Sequence, residues 1–140
     1  MLKYEKLEDL GCGAFSDVAK YRNQKTGELV AIKHMKQRYE SFDQCKKLRE
    51  VRSLRCIKHE NVIALREVIF CDGALDLVFE LSDESLYDIQ TRNHGILQEQ
   101  DIRVIMRQLL SGLAHIHEKG FFHRDIKPEN ILFKGGVLKI

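Results

Sequence analysis

The stretch His123-Arg124-Asp125-Ile126-Lys127-Pro128-Glu129-Asn130 constrains this chain more than any other. It sets an imidazole, two cations, two acids and an amide side by side, and it holds the only proline of the sequence. Pro128 has no N–H to give and disfavours helical geometry at Lys127, so the run cannot lie inside a helix. Upstream, Ile102, Ile105, Met106, Leu109, Leu113 and Ile116 recur at three- and four-residue steps, which predicts an amphipathic helix ending near Gly120. The octet therefore reads as an ordered polar loop after a long helix. Polar groups this dense on one loop suit binding or catalysis better than packing.

The chemistry these groups fit is phosphoryl transfer. Asp125 can accept a proton from an attacking hydroxyl, the Asn130 amide oxygen can ligate Mg²⁺, and Lys127 can meet the transferring phosphate. The spacing H-R-D-x-x-x-x-N is that of the protein-kinase catalytic loop, and the chain resembles that family here. Lys127, two residues after the aspartate, resembles the serine/threonine kinases rather than the tyrosine kinases.

Near the N-terminus, Leu10-Gly11-Cys12-Gly13-Ala14-Phe15-Ser16-Asp17-Val18 is glycine-rich, so backbone N–H groups can approach a phosphate without a Cβ in the way. A dinucleotide-binding loop would need a third glycine and then a helix. Ser16 stands at the third position, and the next residues run as a short strand to a turn at Lys25-Thr26-Gly27. The pattern is strand-turn-strand, as in the kinase lid, with Ser16 the one departure from G-x-G-x-x-G. Glu28-Leu29-Val30-Ala31-Ile32-Lys33 follows and resembles the V-A-I-K strand. Residues 41–57 read as one helix with Ser41 as its cap and Glu50 on it.

The resemblance implies roles for further residues. Lys33, held by Glu50, would grip the α- and β-phosphates of ATP. Leu10, Gly11, Gly13, Val18 and Ala31 would line the nucleotide site, with Phe79 as gatekeeper and Leu132 as the floor under adenine. The backbones of Glu80 and Ser82 would bond adenine, and Ser85 would lie near ribose. Asp125, Lys127, Lys33 and Glu50 would form the catalytic set, with Asn130 the metal ligand. Arg124 would meet a phosphate on an activation loop.

The resemblance runs from residue 4 to residue 140 and is nearest the group of cyclin-dependent and MAP kinases. Within that group, residues 39–51 and Gly120-Phe121-Phe122-His123-Arg124-Asp125 resemble the male germ cell-associated and intestinal cell kinase branch, which is linked to cilia. The expected fold is α+β: a five-stranded antiparallel N-lobe sheet with one long helix, then the beginning of a helical C-lobe. The expected boundaries are 1–81 for the N-lobe, 82–85 for the hinge and 86–140 for the start of the C-lobe. Within the second part, Leu86 to Arg92 should be a short helix, and Lys134-Gly135-Gly136 should turn a small hairpin. Residues 65–71 and 75–81 should form another around Asp72-Gly73.

The expected activity is ATP- and Mg²⁺-dependent phosphorylation of a protein hydroxyl. A cyclin-like or activating-kinase partner is an expected regulator. The alternative is a non-catalytic nucleotide-binding or regulatory module, because no D-F-G occurs in the 140 residues. That absence makes the isolated chain an expected non-catalyst and leaves the long helix's apolar stripe expected to be partly exposed.

Charge argues against other partners. With 23 basic and 21 acidic residues the balance is too even to call for nucleic acid or a membrane surface. Cys12, Cys45, Cys56 and Cys71 form no C-x-x-C and read as reduced thiols. His115 and His117, two apart on a helix, face different ways and make no metal pair. Met1-Leu2-Lys3-Tyr4-Glu5-Lys6 shows no leader pattern, so the expected location is the cytoplasm, with nucleus or cilium as alternatives.

Overall fold

Turn chemistry cuts the first part of the chain into three strands, β1 (Tyr4–Cys12), β2 (Ser16–Asn23) and β3 (Leu29–Met35). Between β2 and β3 the Asn23 side-chain oxygen accepts from the N–H groups of Lys25 and Thr26 at 3.0 and 3.3 Å. The computed structural model describes residues 3–140; Met1 and Leu2, which open the stretch read above for a leader, lie outside the described residues. The chain divides into two compact units, the first holding 3–55 and 64–81, the second Cys56–Ile63 and Ser82–Ile140.

The first unit is the five-stranded antiparallel sheet, in the order β1-β2-β3-β5-β4. The strands β4 (Leu65–Cys71) and β5 (Ala74–Glu80) join through Asp72 and Gly73. Both turn residues have positive φ, 49° and 78°, as a two-residue hairpin turn of the primed type requires. The sheet curls strongly. Its two edge strands are four spacings apart, about 19 Å if flat, yet Lys3 and the Tyr4 hydroxyl both reach Glu67 on β4, at 2.5 and 2.8 Å.

Strand register sorts the side chains into two faces. Val30, Ile32 and Val78 share one, packed with Tyr4, Tyr21 and Ile69. Lys33, Leu77 and Val68 are cross-strand partners on the other. That second face packs on two short helices, α1 (Phe42–Lys47) and α2 (Arg49–Cys56), through Leu75, Leu77, Cys45 and Val51.

Ser41 caps α1 as expected, its hydroxyl accepting from Gln44 N–H at 3.3 Å. The single helix expected over 41–57 is interrupted. Leu48 leaves helical geometry (φ −57°, ψ 131°), and a second helix starts at Arg49. Packing explains the break. Cys45 and Val51 are both buried in the same core, at 0% and 1% exposure. Six residues apart on an unbroken helix they would point about 120° apart. Interrupting the helix lets both face the sheet.

In the second unit α3 (Leu86–Arg92) and α4 (Glu99–Glu118) pack on a three-stranded sheet, β6 (Glu84–Ser85), β7 (Leu132–Lys134) and β8 (Val137–Lys139). Leu86, Leu109, Ile116, Ile131 and Leu138 lie in its core. The expected stripe on α4 splits: Leu109 and Ile116 are buried, whereas Ile102 and Met106 are 45% and 44% exposed. His115 stacks on His59 and His117 tilts against Phe122, both at 4.9 Å between ring centres. All four cysteines are free thiols. Among the described residues no helix is long and apolar enough to cross a membrane.

Candidate functional site

The pleat of the first unit collects five of the predicted nucleotide residues. Gly11 pairs with Val18, Val18 with Lys33, and Ala31 with Phe79. Cross-strand partners share a face, and Ala31 and Lys33 are two apart on β3, so all five lie on one side of the sheet. It is the side on which α2 packs. Lys33 Nζ therefore meets Glu50, in the first turn of α2, at 2.6 Å. The two side chains are 29% and 41% exposed. A pocket of about 630 Å³ opens beside them, lined by Ala14, Phe15, Lys33, Met35, Lys36 and Glu50 among others.

The glycine-rich turn is fastened from β3's end. Gly13 N–H donates to Ser16 O at 2.9 Å, and Lys36 N–H donates to Phe15 O at 3.0 Å. The Lys36 ammonium donates to Gly13 O at 2.8 Å and pairs with Asp17 at 3.0 Å. That pairing raises the Lys36 pKa above the ordinary lysine value, with Asp17 the main cause. Sequence reasoning passed over Lys36. Its position just past a strand end, opposite a glycine hairpin, was the available signal.

Glu80 sits on the opposite face from Phe79, buried, with its carboxylate accepting from Ala64 N–H at 2.9 Å. Its own N–H donates to Ala64 O at 3.0 Å. Ser82 follows β5 outside any element, and Ser85 caps α3. The Ser85 hydroxyl donates to Asp88 at 2.6 Å and accepts from Asp88 N–H at 3.1 Å, a capping box. These bonds hold the Asp88 carboxyl below the usual range, Ser85 being the first cause. The S-x-x-D spacing was legible as a cap; proximity to ribose rests on the resemblance. Leu10 is half exposed on β1, and Leu132 is partly buried on β7.

The octet lies in the second unit and builds its own cluster. Arg124 sits at φ 70°, in the left-handed region that a bulky residue enters at a cost of about 1–3 kcal/mol. Asp125 N–H then donates to His123 Nδ1 at 3.4 Å. Burial pushes the His123 pKa down, with Asp125 opposing it, which matches an acceptor Nδ1. Pro128–Asn130 forms a 3₁₀ turn that brings Asn130 back toward Asp125. The Asn130 amide donates to the Asp125 carboxylate at 2.7 Å and to its main-chain oxygen at 2.9 Å. Lys127 Nζ stands 3.1 Å from the same carboxylate. Lys127, then Asn130, hold the Asp125 carboxyl below its ordinary pKa. It is an ionised carboxylate at neutral pH.

The donor set bears on Mg²⁺. The Asn130 N–H groups point at Asp125, which leaves its amide oxygen as the acceptor for a cation. Among the described residues no cluster of three or more His, Cys, Asp or Glu could cage a metal. The residues fit an ion held by one or two side chains plus phosphate and water oxygens, the usual arrangement for Mg²⁺.

A glycine hairpin, a lysine–glutamate pair on the same sheet face, and an acid gripped by an ammonium and an amide on a strained loop define a protein-kinase domain. Residues 4–140 match the protein kinase domain family, and the chain belongs to it. Among curated relatives it is 47% identical to the serine/threonine-protein kinase MAK of Mus musculus over 138 residues, 99% of this chain and 22% of that one. It is 44% identical to the serine/threonine-protein kinase ICK of Rattus norvegicus over 138 residues, again 99% and 22%. The MAPK/MAK/MRK overlapping kinase of Mus musculus is 42% identical over 143 residues, 100% of this chain and 34% of that one. The chain thus spans between 22% and 34% of the length of these relatives, and the resemblance to the MAK and ICK branch is borne out.

Proposed function

We propose that this chain carries the nucleotide-gripping and catalytic-loop segments of an ATP-dependent serine/threonine protein kinase. The observation that supports this most is the Asp125 carboxylate held between Lys127 and Asn130 at 3.1 and 2.7 Å. Asp125 orients the substrate hydroxyl and takes its proton as the phosphoryl group leaves ATP. A carboxylate this acidic is a weak base. That suits a loose transition state, in which the hydroxyl loses its proton late and orientation matters more than basicity. Lys127 offsets charge on the γ-phosphate. Lys33, oriented by Glu50, holds the α- and β-phosphates, while Gly11 and Gly13 let main-chain N–H groups close over them. Asn130 would hold Mg²⁺, which neutralises phosphate charge when bound.

The test is phosphotransfer from labelled ATP to a basic protein substrate by the full-length protein. Lys33→Met and Asp125→Asn should each lower the rate by at least about 100-fold, roughly 2.7 kcal/mol of barrier. Rates near the unaltered protein's would remove the assignment. Residues 1–140 alone lack a D-F-G aspartate and should give no turnover above background; kinase-like rates from that chain would contradict this part.

A further inference from the structure

Strand β8 is the last in its sheet, in the order β6-β7-β8, so among the described residues one of its edges has no strand beside it. An uncovered edge leaves main-chain donors and acceptors to be satisfied some other way. At Leu138, which is fully buried, two side-chain amides do so. Gln108, on α4, accepts from Leu138 N–H at 2.9 Å through its Oε1. Asn61 donates from its amide to Leu138 O at 3.1 Å and to the same Gln108 oxygen at 3.1 Å. At Ile140 the main chain of 61–63 takes over, with Ile140 N–H to Asn61 O at 3.1 Å and Ile63 N–H to Ile140 O at 2.9 Å. Two amides and a short segment thus stand where a fourth strand would be. Their seat is tight: a Cβ at Gly112, one turn on from Gln108, would lie 2.8 Å from Asn61 O.

What this edge locks is the β7–β8 hairpin. Leu138 is opposite Phe133, and Leu132 is opposite both Lys139 and Ser85. Leu132 is two residues past Asn130. A slip of one residue in β8 would turn its own side chains to the wrong face and set Leu132 and Phe133 against the wrong partners. We infer that Gln108 is a positioning residue for nucleotide binding: its amide oxygen fixes the register of β8 and thereby the place of Leu132. This rests on the kinase reading, in which Leu132 is the adenine floor. Gln108 touches no substrate in this role; it acts through the hairpin.

The test uses the full-length protein with Gln108→Met, similar in length but lacking the acceptor oxygen, and Gln108→Glu, which keeps an acceptor for both N–H groups. The expected result is a KM for ATP at least about fivefold higher in Q108M, with the KM for peptide substrate within twofold of the unaltered protein, and Q108E within twofold on both. An unchanged ATP KM in Q108M overturns the inference. So does a parallel rise of both KM values, or a Q108E protein as impaired as Q108M. If Q108M does not accumulate folded, Gln108→Asn, one methylene too short to reach Leu138, is held to the same thresholds. Failure of both to fold makes Gln108 purely structural and also overturns it. An unaltered protein with no phosphotransfer refutes the kinase reading instead.

Discussion

Glu50→Gln separates positioning from folding at the Lys33 pair. Two unit charges 2.6 Å apart attract by about 1.6 kcal/mol in a water-like dielectric. With the partners 29% and 41% exposed, solvent screening and the cost of ordering two long side chains leave about 0–1 kcal/mol net. In domains of about 150–250 residues a change of that size moves Tm by no more than about 4 °C. Catalysis stands differently. In the proposed function Glu50 orients the ammonium that meets the phosphates, and a displacement of about 1 Å at a reacting group costs about 100-fold. The full-length E50Q protein should lose about 100-fold in kcat/KM for ATP, near 2.7 kcal/mol, while its Tm stays within about 4 °C. Steady-state kinetics and differential scanning calorimetry on the same preparation read both. Activity within threefold of the unaltered protein would refute the positioning role. A Tm loss beyond about 8 °C would show that the pair holds the fold together.

Two other predictions use the same reasoning. Lys127 is the first cause of the lowered Asp125 pKa, so the carboxylate ionises at lower pH than an ordinary aspartate. Lys127→Met should shift the acid limb of the kcat/KM profile upward, toward ordinary carboxylate values; an unmoved limb would detach Asp125 from that limb. Gly112→Ala sets two effects against each other. Alanine gains about 1 kcal/mol of helix propensity, but its Cβ would lie 2.8 Å from a main-chain oxygen that the β8 edge holds in place. Overpacking of that kind costs about 1–3 kcal/mol. Denaturant unfolding should find G112A less stable, and a more stable variant would mean that 61–63 yields easily.

The elements that could be read from sequence are those whose causes are local. Asp72-Gly73 supplies the two positive φ values its hairpin needs, and Gly135 and Gly136 do so at the second hairpin, at 56° and 79°. Leu86–Arg92 is a helix with the bounds its sequence suggests, because its helix formers are contiguous. The octet was legible because a single proline excludes helix and the polar groups are contiguous.

What could not be read depends on partners far away in the chain. Nothing near Leu48 marks a helix break; the cause is that Cys45 and Val51 share one sheet face made largely by β5. Lys3 and Glu67 are 64 residues apart, and no periodicity joins them. Gln108 reads as one more polar residue on an amphipathic helix until β8 and Asn61 are brought to it. Asn61 is 5% exposed, with its amide and its carbonyl all engaged by the strand edge and Gln108. A buried amide in an apolar core costs stability unless it is satisfied. Three mutually satisfied partners, Asn61, Gln108 and the Leu138 main chain, make the register of one short hairpin specific, which the surrounding leucines and isoleucines, being interchangeable under small slips, do not do by themselves.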